Sequence, residues 1–259
     1  MIRSYECIDN PERPIKNNEI LTNPKLMADY AKDGRYVSLP VVPMIPICLG
    51  VKFENGRTAY PIYDDICDIK LDMNYSKDEY MAMLKAIEIL GEEKTVIEIR
   101  GPISVLDNLI GATNVMRAMR KKRETLISLY SKLTYIYIDY IKKMLDMGVR
   151  VFSFTESILS PNVLGPREVA NYVDDFLLNF LREIDKLAND YDFTLHLCPK
   201  STFAIIDLDK GFLEPIELNN QKKYIDILFD NLSTLMGDRC INLADKEFKK
   251  VNKIVLKED

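Results

Sequence analysis

Apolar positions recur every three or four residues along three stretches of the chain, separated by short runs dense in Val, Ile and Phe. In the first stretch Tyr80, Leu84, Ile87 and Leu90 follow Ser76 and Glu79, which are spaced as a capping box, and Gly91 is placed as the stop. The second runs from Leu126 through Tyr130, Leu133, Tyr137 and Ile141 to Leu145, closed by Gly148. In the third, Pro166 suits a first helical turn and Val169, Tyr172, Phe176, Phe180 and Ile184 share a face. Thr95–Ile99, Val149–Thr155 and Phe193–Cys198 read as strands.

Strands alternating with helices of this length predict right-handed crossovers and a parallel sheet. At 259 residues the chain has the size of a TIM-type (β/α)8 barrel. The expected fold is therefore one α/β-barrel domain over 1–259, trimmed or irregular at its N- and C-terminal ends. Residues 76–200 are its best-defined βα core. The first 75 residues offer an apolar stretch around Val41 to Cys48 and a turn at Asn55-Gly56. Residues 201–259 offer an apolar run from Phe203 to Leu208 and a turn at Asp209-Lys210-Gly211. A helix from about Lys222 to Leu235 and short strands near Cys240 and Ile254 follow.

Composition narrows the function classes. A formal charge of −5 would repel a phosphate backbone, and the one basic cluster, around Arg117, Arg120 and Arg123, reads as a solvated connection between helices. Nucleic acid is not expected as a partner. The apolar stretch from Leu39 to Val51 is broken by Pro40, Pro43 and Pro46, and Met1–Glu6 has no export-signal pattern, so neither membrane nor secretion is expected. Five scattered cysteines, Cys7, Cys48, Cys67, Cys198 and Cys240, fit thiols or metal ligands in a reducing cytoplasm better than a disulfide framework.

Functional groups in parallel α/β folds collect where strands end at their carboxyl side. Two such places are Ser153-Phe154-Thr155-Glu156-Ser157 and His196-Leu197-Cys198-Pro199-Lys200. Strand side chains alternate faces, so His196 and Cys198 project to the same side, within reach of one ion. Zinc suits that pair, taking Cys sulfur at about 2.3 Å and His nitrogen at about 2.0–2.1 Å. Cys240 and Glu156 are the candidates for completing the site. The plainer readings stay open beside this one: a packed, hydrogen-bonded His196 and Cys198, a buried apolar Cys240, and a salt-bridged or substrate-binding Glu156.

Several segments occur together in a familiar order: Gly101-Pro102-Ile103-Ser104, Met147-Gly148-Val149-Arg150-Val151, Glu156-Ser157, Leu164-Gly165-Pro166 and Leu195-His196-Leu197-Cys198. Over roughly residues 94 to 200 the chain resembles the uroporphyrinogen decarboxylase superfamily, and within it the cobamide-dependent methyltransferase branch. The resemblance implies an α/β barrel in which His196 and Cys198 match a zinc-binding His-x-Cys pair and Cys240 is the third ligand, although the family's last cysteine usually lies farther on, beside glycines. It also implies an acidic catalytic residue at the barrel mouth, Glu156. The implied reaction moves a methyl group between a methyl-corrinoid, carried as co-substrate on a separate corrinoid protein, and a small thiol activated by Zn2+. A homodimer is compatible with it.

Two other readings remain. One is a decarboxylase-like lyase acting on a polycarboxylate through cationic anchors, for which Arg100, Arg150, Arg167 and Lys200 are candidates. The arginine-rich N-terminal segment of the decarboxylases is not found. The other is a non-catalytic barrel that binds a corrinoid protein or a small thiol.

Overall fold

The computed structural model describes residues 15, 17–54 and 58–257. The chain starts of Met1–Glu6, Cys7 and the Asn55-Gly56 turn lie outside the described residues. Helix α1 (Pro24–Lys32) leads to β1 (Ser38–Leu39), α2 (Met44–Cys48) and a small antiparallel pair, β2 (Phe53–Glu54) and β3 (Thr58–Ala59). The βα run then continues through α3 (Asp78–Leu90), β4 (Val96–Arg100), α4 (Pro102–Ile110), α5 (Ala112–Lys121), α6 (Arg123–Asp146) and β5 (Val151–Thr155). After it come α7 (Pro166–Tyr172), α8 (Leu178–Leu187), β6 (Thr194–Leu197) and α9 (Pro199–Asp207). The chain finishes with β7 (Gly211–Lys223), α10 (Tyr224–Phe229), β8 (Leu235–Met236) and β9 (Glu247–Leu256).

The main sheet has the order β1-β4-β5-β6-β8-β9-β7. Its first five strands are parallel and follow chain order without reversal, the winding of an α/β barrel rather than of a doubly wound sheet. Among the described residues the sheet is not closed, and its far end is an antiparallel ribbon of β9 with β7. The barrel is thus trimmed and irregular at its ends. No helix of the described residues is long and apolar enough to cross a membrane.

Alternation on the central strands divides two environments. Ile97, Ile99, Phe152, Phe154, Leu195 and Leu197 face the helices and are buried in the larger apolar cluster. There Phe154 meets Phe180 with ring centroids 4.9 Å apart and Tyr137 at 5.8 Å. On the other face Val96, Val151 and Met236 join a second cluster with Tyr224, Ile227, Leu228 and Val251. Helix α10 and β9 thereby cover the amino end of the inner face and leave its carboxyl end open to chemistry.

Several local expectations are corrected. The Ser76/Glu79 capping box is not made: Lys77 is the N-cap, and the Ser76 amide donates to the Asn74 side chain at 2.9 Å, which ends the preceding turn one residue too late for Ser76 to cap. The helix expected over Lys222–Leu235 shrinks to α10, because Lys222 and Lys223 pair with β9 and Asn231 adopts a positive φ of 49°. Cys240 lies in no strand; it precedes a single 3-10 turn, Ile241–Leu243. The third amphipathic stretch is one continuous helical run widened into a π turn at Val173–Leu177. The basic cluster is largely helical, with Arg117, Arg120 and Lys121 in α5.

Leu228 is fully buried in the inner cluster. Leu228→Ala should cost about 2–5 kcal/mol in urea unfolding, whereas a loss below about 1 kcal/mol would mean that α10 is not packed into the inner face.

Candidate active site

Register across β4, β5 and β6 arranges the inward side chains in two rungs. Glu98 pairs with Ser153 and Ser153 with His196; one step further along, Arg100 pairs with Thr155. Cys198 extends that second rung just past the strand, its amide held by the Phe154 carbonyl at 3.0 Å. These six side chains wall a cavity of about 220 Å³, completed by Tyr36 and by Cys240 from the loop after β8. That volume is below the ~300–1,000 Å³ of sites for drug-sized ligands, so the space suits a molecule of a few carbons.

His196 is almost fully buried, and both ring nitrogens are engaged. Nε2 lies 2.9 Å from the Arg239 carbonyl, which can only accept, so the proton sits on Nε2. Nδ1 is then the basic nitrogen, and it receives the Ser153 hydroxyl at 3.3 Å. Burial pushes the imidazole pKa down to about 4, with the Arg239 carbonyl opposing, so the ring is neutral at pH 7. A neutral imidazole whose second N–H is fixed by a backbone carbonyl is the usual state of a metal-ligating histidine.

The loop carrying Arg239 and Cys240 is held on several sides. Gly237 has φ 149°, and a Cβ there would lie 2.3 Å from the Leu197 carbonyl oxygen, so the chain can pass the end of β6 only without a side chain. Asp238 accepts from Arg239 at 2.6 Å and from Asn252 of β9 at 2.7 Å. The Arg239 guanidinium lies over the Phe248 ring at 4.1 Å. Arg35, just before β1, donates to the Asn242 carbonyl at 2.8 Å and ties the loop to the opposite side of the sheet.

His196, Cys198 and Cys240 therefore share one wall, and no disulfide joins the cysteines. Their donor types fit zinc. In this conformation, among the described residues, no three His, Cys, Asp or Glu side chains are gathered closely enough to hold a metal.

Glu156 sits elsewhere. Thr155 and Ser157 line the cavity, and the carboxylate between them turns the other way, into full burial at the start of α4. There Oε2 accepts from the Ile103 amide at 2.9 Å and the Ser104 amide at 3.2 Å, while Oε1 accepts from the Ser104 hydroxyl at 2.6 Å. A Cβ on Gly101 would come within 2.5 Å of Oε2. The Gly101–Ser104 and Glu156–Ser157 segments are thus two halves of one brace. Burial raises the Glu156 pKa to about 7 against the pull of these hydrogen bonds.

Of the four cationic candidates only Arg100 reaches the cavity wall. Arg150 caps the end of α6 through the Leu145 carbonyl at 2.9 Å, and Lys200 donates to the Ser157 carbonyl. Glu98 and Tyr36 were not singled out by the sequence pattern. The signal for Glu98 was present: a charge on the same strand parity as Arg100, inside an otherwise apolar run.

A profile of the family described as "Uroporphyrinogen decarboxylase (URO-D)" matches residues 41–223, more than two-thirds of the chain. The chain belongs to the URO-D family. This URO-D protein is similar to two curated relatives, both named "Methylcobamide:CoM methyltransferase MtaA", from Methanosarcina barkeri and from Methanosarcina barkeri (strain Fusaro / DSM 804). Each is 23% identical over 216 residues, covering 75% of this chain and 62% of the relative. The chain thus spans about three-fifths of the length of those relatives. Among solved structures it resembles a methyltransferase from Methanosarcina mazei at a TM-score of 0.56 and 21% identity, covering 74% of this chain and 61% of that one.

Two predictions follow from this geometry. The first concerns Gly237→Ala, which should lower the thermal midpoint clearly, by the equivalent of about 2 kcal/mol or more, since the new methyl meets a backbone oxygen; an unchanged midpoint would show that the loop can move aside. The second concerns pH. Glu156 binds its proton more tightly in the folded chain than at its ordinary value of 4.5, so its contribution to stability is full below that pH and is lost as pH rises toward about 7. His196 acts in the opposite sense, its contribution being full above 6.5 and lost as pH falls toward about 4. Relative to wild type, Glu156→Gln should gain about 2–3 kcal/mol between about pH 4.5 and about pH 8 in thermal unfolding, and parallel profiles would contradict this.

Proposed function

We propose that this URO-D protein is a zinc-dependent methyltransferase that moves a methyl group between a protein-bound methyl-corrinoid and a small thiol. The observation that carries this reading is the His196 ring, neutral, with Nε2–H fixed on Arg239 and its basic nitrogen on the cavity side, on the same wall as Cys198 and Cys240. The likeness to methylcobamide:CoM methyltransferases supports the reaction class.

His196 through Nδ1, with Cys198 and Cys240 as thiolates, would hold the ion. A bound zinc supplies the positive charge that keeps a substrate thiol deprotonated near neutral pH while leaving its sulfur electron-rich. The residues of the chain position the rest. Arg239 fixes the imidazole tautomer and plane, the Ser153 hydroxyl that occupies Nδ1 in this conformation would turn aside to release that lone pair to the ion, and the loop anchored at Gly237 sets where Cys240 stands. In the forward direction the thiol loses its proton to solvent, sulfur bonds to the methyl carbon, the carbon–cobalt bond breaks with its electron pair staying on cobalt, and a thioether leaves. Holding sulfur and methyl in line removes much of an encounter cost that reaches about 7–11 kcal/mol in ideal intramolecular cases. Glu156, bound to the α4 amides, acts as a positioning residue at the cavity's edge.

A polycarboxylate lyase is disfavoured because three of its four candidate anchors, Arg150, Arg167 and Lys200, do not line the cavity. Metal analysis and single-turnover assays test the proposal. The purified chain should carry about one zinc, and His196→Ala or Cys198→Ala should weaken zinc by more than the ~10–100-fold typical of outer-shell changes. Mixed with methylcobalamin and a panel of thiols, the wild type should consume the methylated form as followed by its visible spectrum. A folded chain that binds no zinc, or that leaves methylcobalamin unchanged with every thiol, would overturn it.

A further inference from the structure

The rungs of the cavity wall hold two charges that no element of the site above uses. Glu98 and Arg100 alternate on β4, with Cα atoms about 6.5–7 Å apart by strand geometry, and both face the cavity. They carry opposite signs yet do not form an ion pair. Glu98 accepts from the Tyr36 phenol at 2.9 Å, which engages one of its several acceptor sites. The Arg100 carbonyl accepts from the Tyr137 hydroxyl at 2.8 Å, but its guanidinium, which offers five N–H donors, makes neither an ion pair nor a hydrogen bond among the described residues. The arginine of the neighbouring loop is paired, Arg239 with Asp238 at 2.6 Å.

We propose that the cavity receives a small zwitterionic thiol, an amino-acid thiol, whose carboxylate docks on Arg100 and whose ammonium docks on Glu98. This deepens the thiol-methylating reading and rests on it. A ligand bearing only an acid would satisfy Arg100 and leave Glu98 facing a like charge. One bearing only an amine would satisfy Glu98 and leave the guanidinium unmatched. A molecule with both charges on one carbon answers both, and the cavity of about 220 Å³ is the right size for it. The sulfur then has to reach β6. Neighbouring strands lie about 4.7–4.9 Å apart, so β4 and β6 are separated by about 10 Å at the backbone. The lengths of the Glu and Arg side chains leave a gap that two or three carbons between the charged carbon and the sulfur can span. Tyr36, donating to Glu98, orients that carboxylate.

Calorimetric titration of the intact chain tests this with defined probes. These are homocysteine and cysteine, 3-mercaptopropionate and 2-mercaptoethanesulfonate without an ammonium, cysteamine without an acid, and 2-aminobutanoate without a thiol. Homocysteine or cysteine should bind at least about tenfold more tightly than each singly charged thiol. Glu98→Gln should abolish the preference over 3-mercaptopropionate, and Arg100→Gln the preference over cysteamine. Binding of 2-aminobutanoate should be weaker but lost in either variant, which reads the charge clamp apart from sulfur chemistry. Equal or tighter binding of 3-mercaptopropionate or 2-mercaptoethanesulfonate, or a preference untouched by both substitutions, overturns the proposal. Should a variant not fold, the wild-type panel decides, because absence of the tenfold preference is itself refuting. A zwitterion preference without methyl transfer to any thiol would support the clamp and sink the methyltransferase reading; methyl transfer to an anionic thiol with no such preference would do the reverse.

Discussion

Parallel pairing of three short strands fixes the chemistry of this protein. With Glu98, Ser153 and His196 in one rung and Arg100, Thr155 and Cys198 in the next, polar groups from separate parts of the chain meet on one surface. A slip of one residue in either pairing would exchange that surface with the one carrying Ile97, Phe152 and Leu195, and both the helix-facing core and the cavity wall would be lost together. The buried aromatic contacts of Tyr137, Phe154 and Phe180 therefore stabilise the site as much as the fold, because they penalise every other register.

The same alternation explains the buried carboxylate. Thr155 and Ser157 face the cavity, so Glu156 between them must face the α4 side, where water is excluded. An isolated carboxylate there would be costly, and three donors at the helix start offset much of that cost. The brace joins the end of β5 to the first turn of α4, next to where Arg100 leaves β4. It sets the backbone from which the cavity rim is built, and Gly101 is the residue type that lets the carboxylate approach.

How much of this was legible in the sequence varies by segment. The βα order, the long helix, the strand ends and the shared face of His196 and Cys198 follow from periodicities of 3.6 and 2 that the structure keeps. The ends of the chain were less legible. Residues 211–223 and 247–256 form a two-stranded ribbon in which exposed and half-buried positions far outnumber the buried Gly211, Val251 and Ile254, so a strand near Ile254 was legible but its pairing with a distant segment had no signature. Glu156 was placed at the mouth by its position after a strand, although the parity rule applied to His196 and Cys198 turns it away when extended one residue further. The place of Cys240 depends on Gly237 passing the Leu197 carbonyl and on Asp238 held by Asn252, which are tertiary and have no local pattern.

An unclosed sheet poses a physical problem that the C-terminal elements solve. In a closed barrel every inner-face residue is covered by the strands opposite; here β1 and β7 are edges, and the inner face would be wet along its whole length. Tyr224, Leu228 and Val251 fill the amino half instead, beneath Val96 and Val151. Arg35 and Asn242 join the two sides above them. Covering only the amino half leaves the carboxyl half as a small, walled space. There His196 is dry enough to stay neutral, while Arg100, on the rim, is exposed and its guanidinium is unpaired among the described residues. One wall thus presents a desolvated donor and a solvated cation a few ångströms apart, which suits a ligand that is polar at one end and reactive at the other.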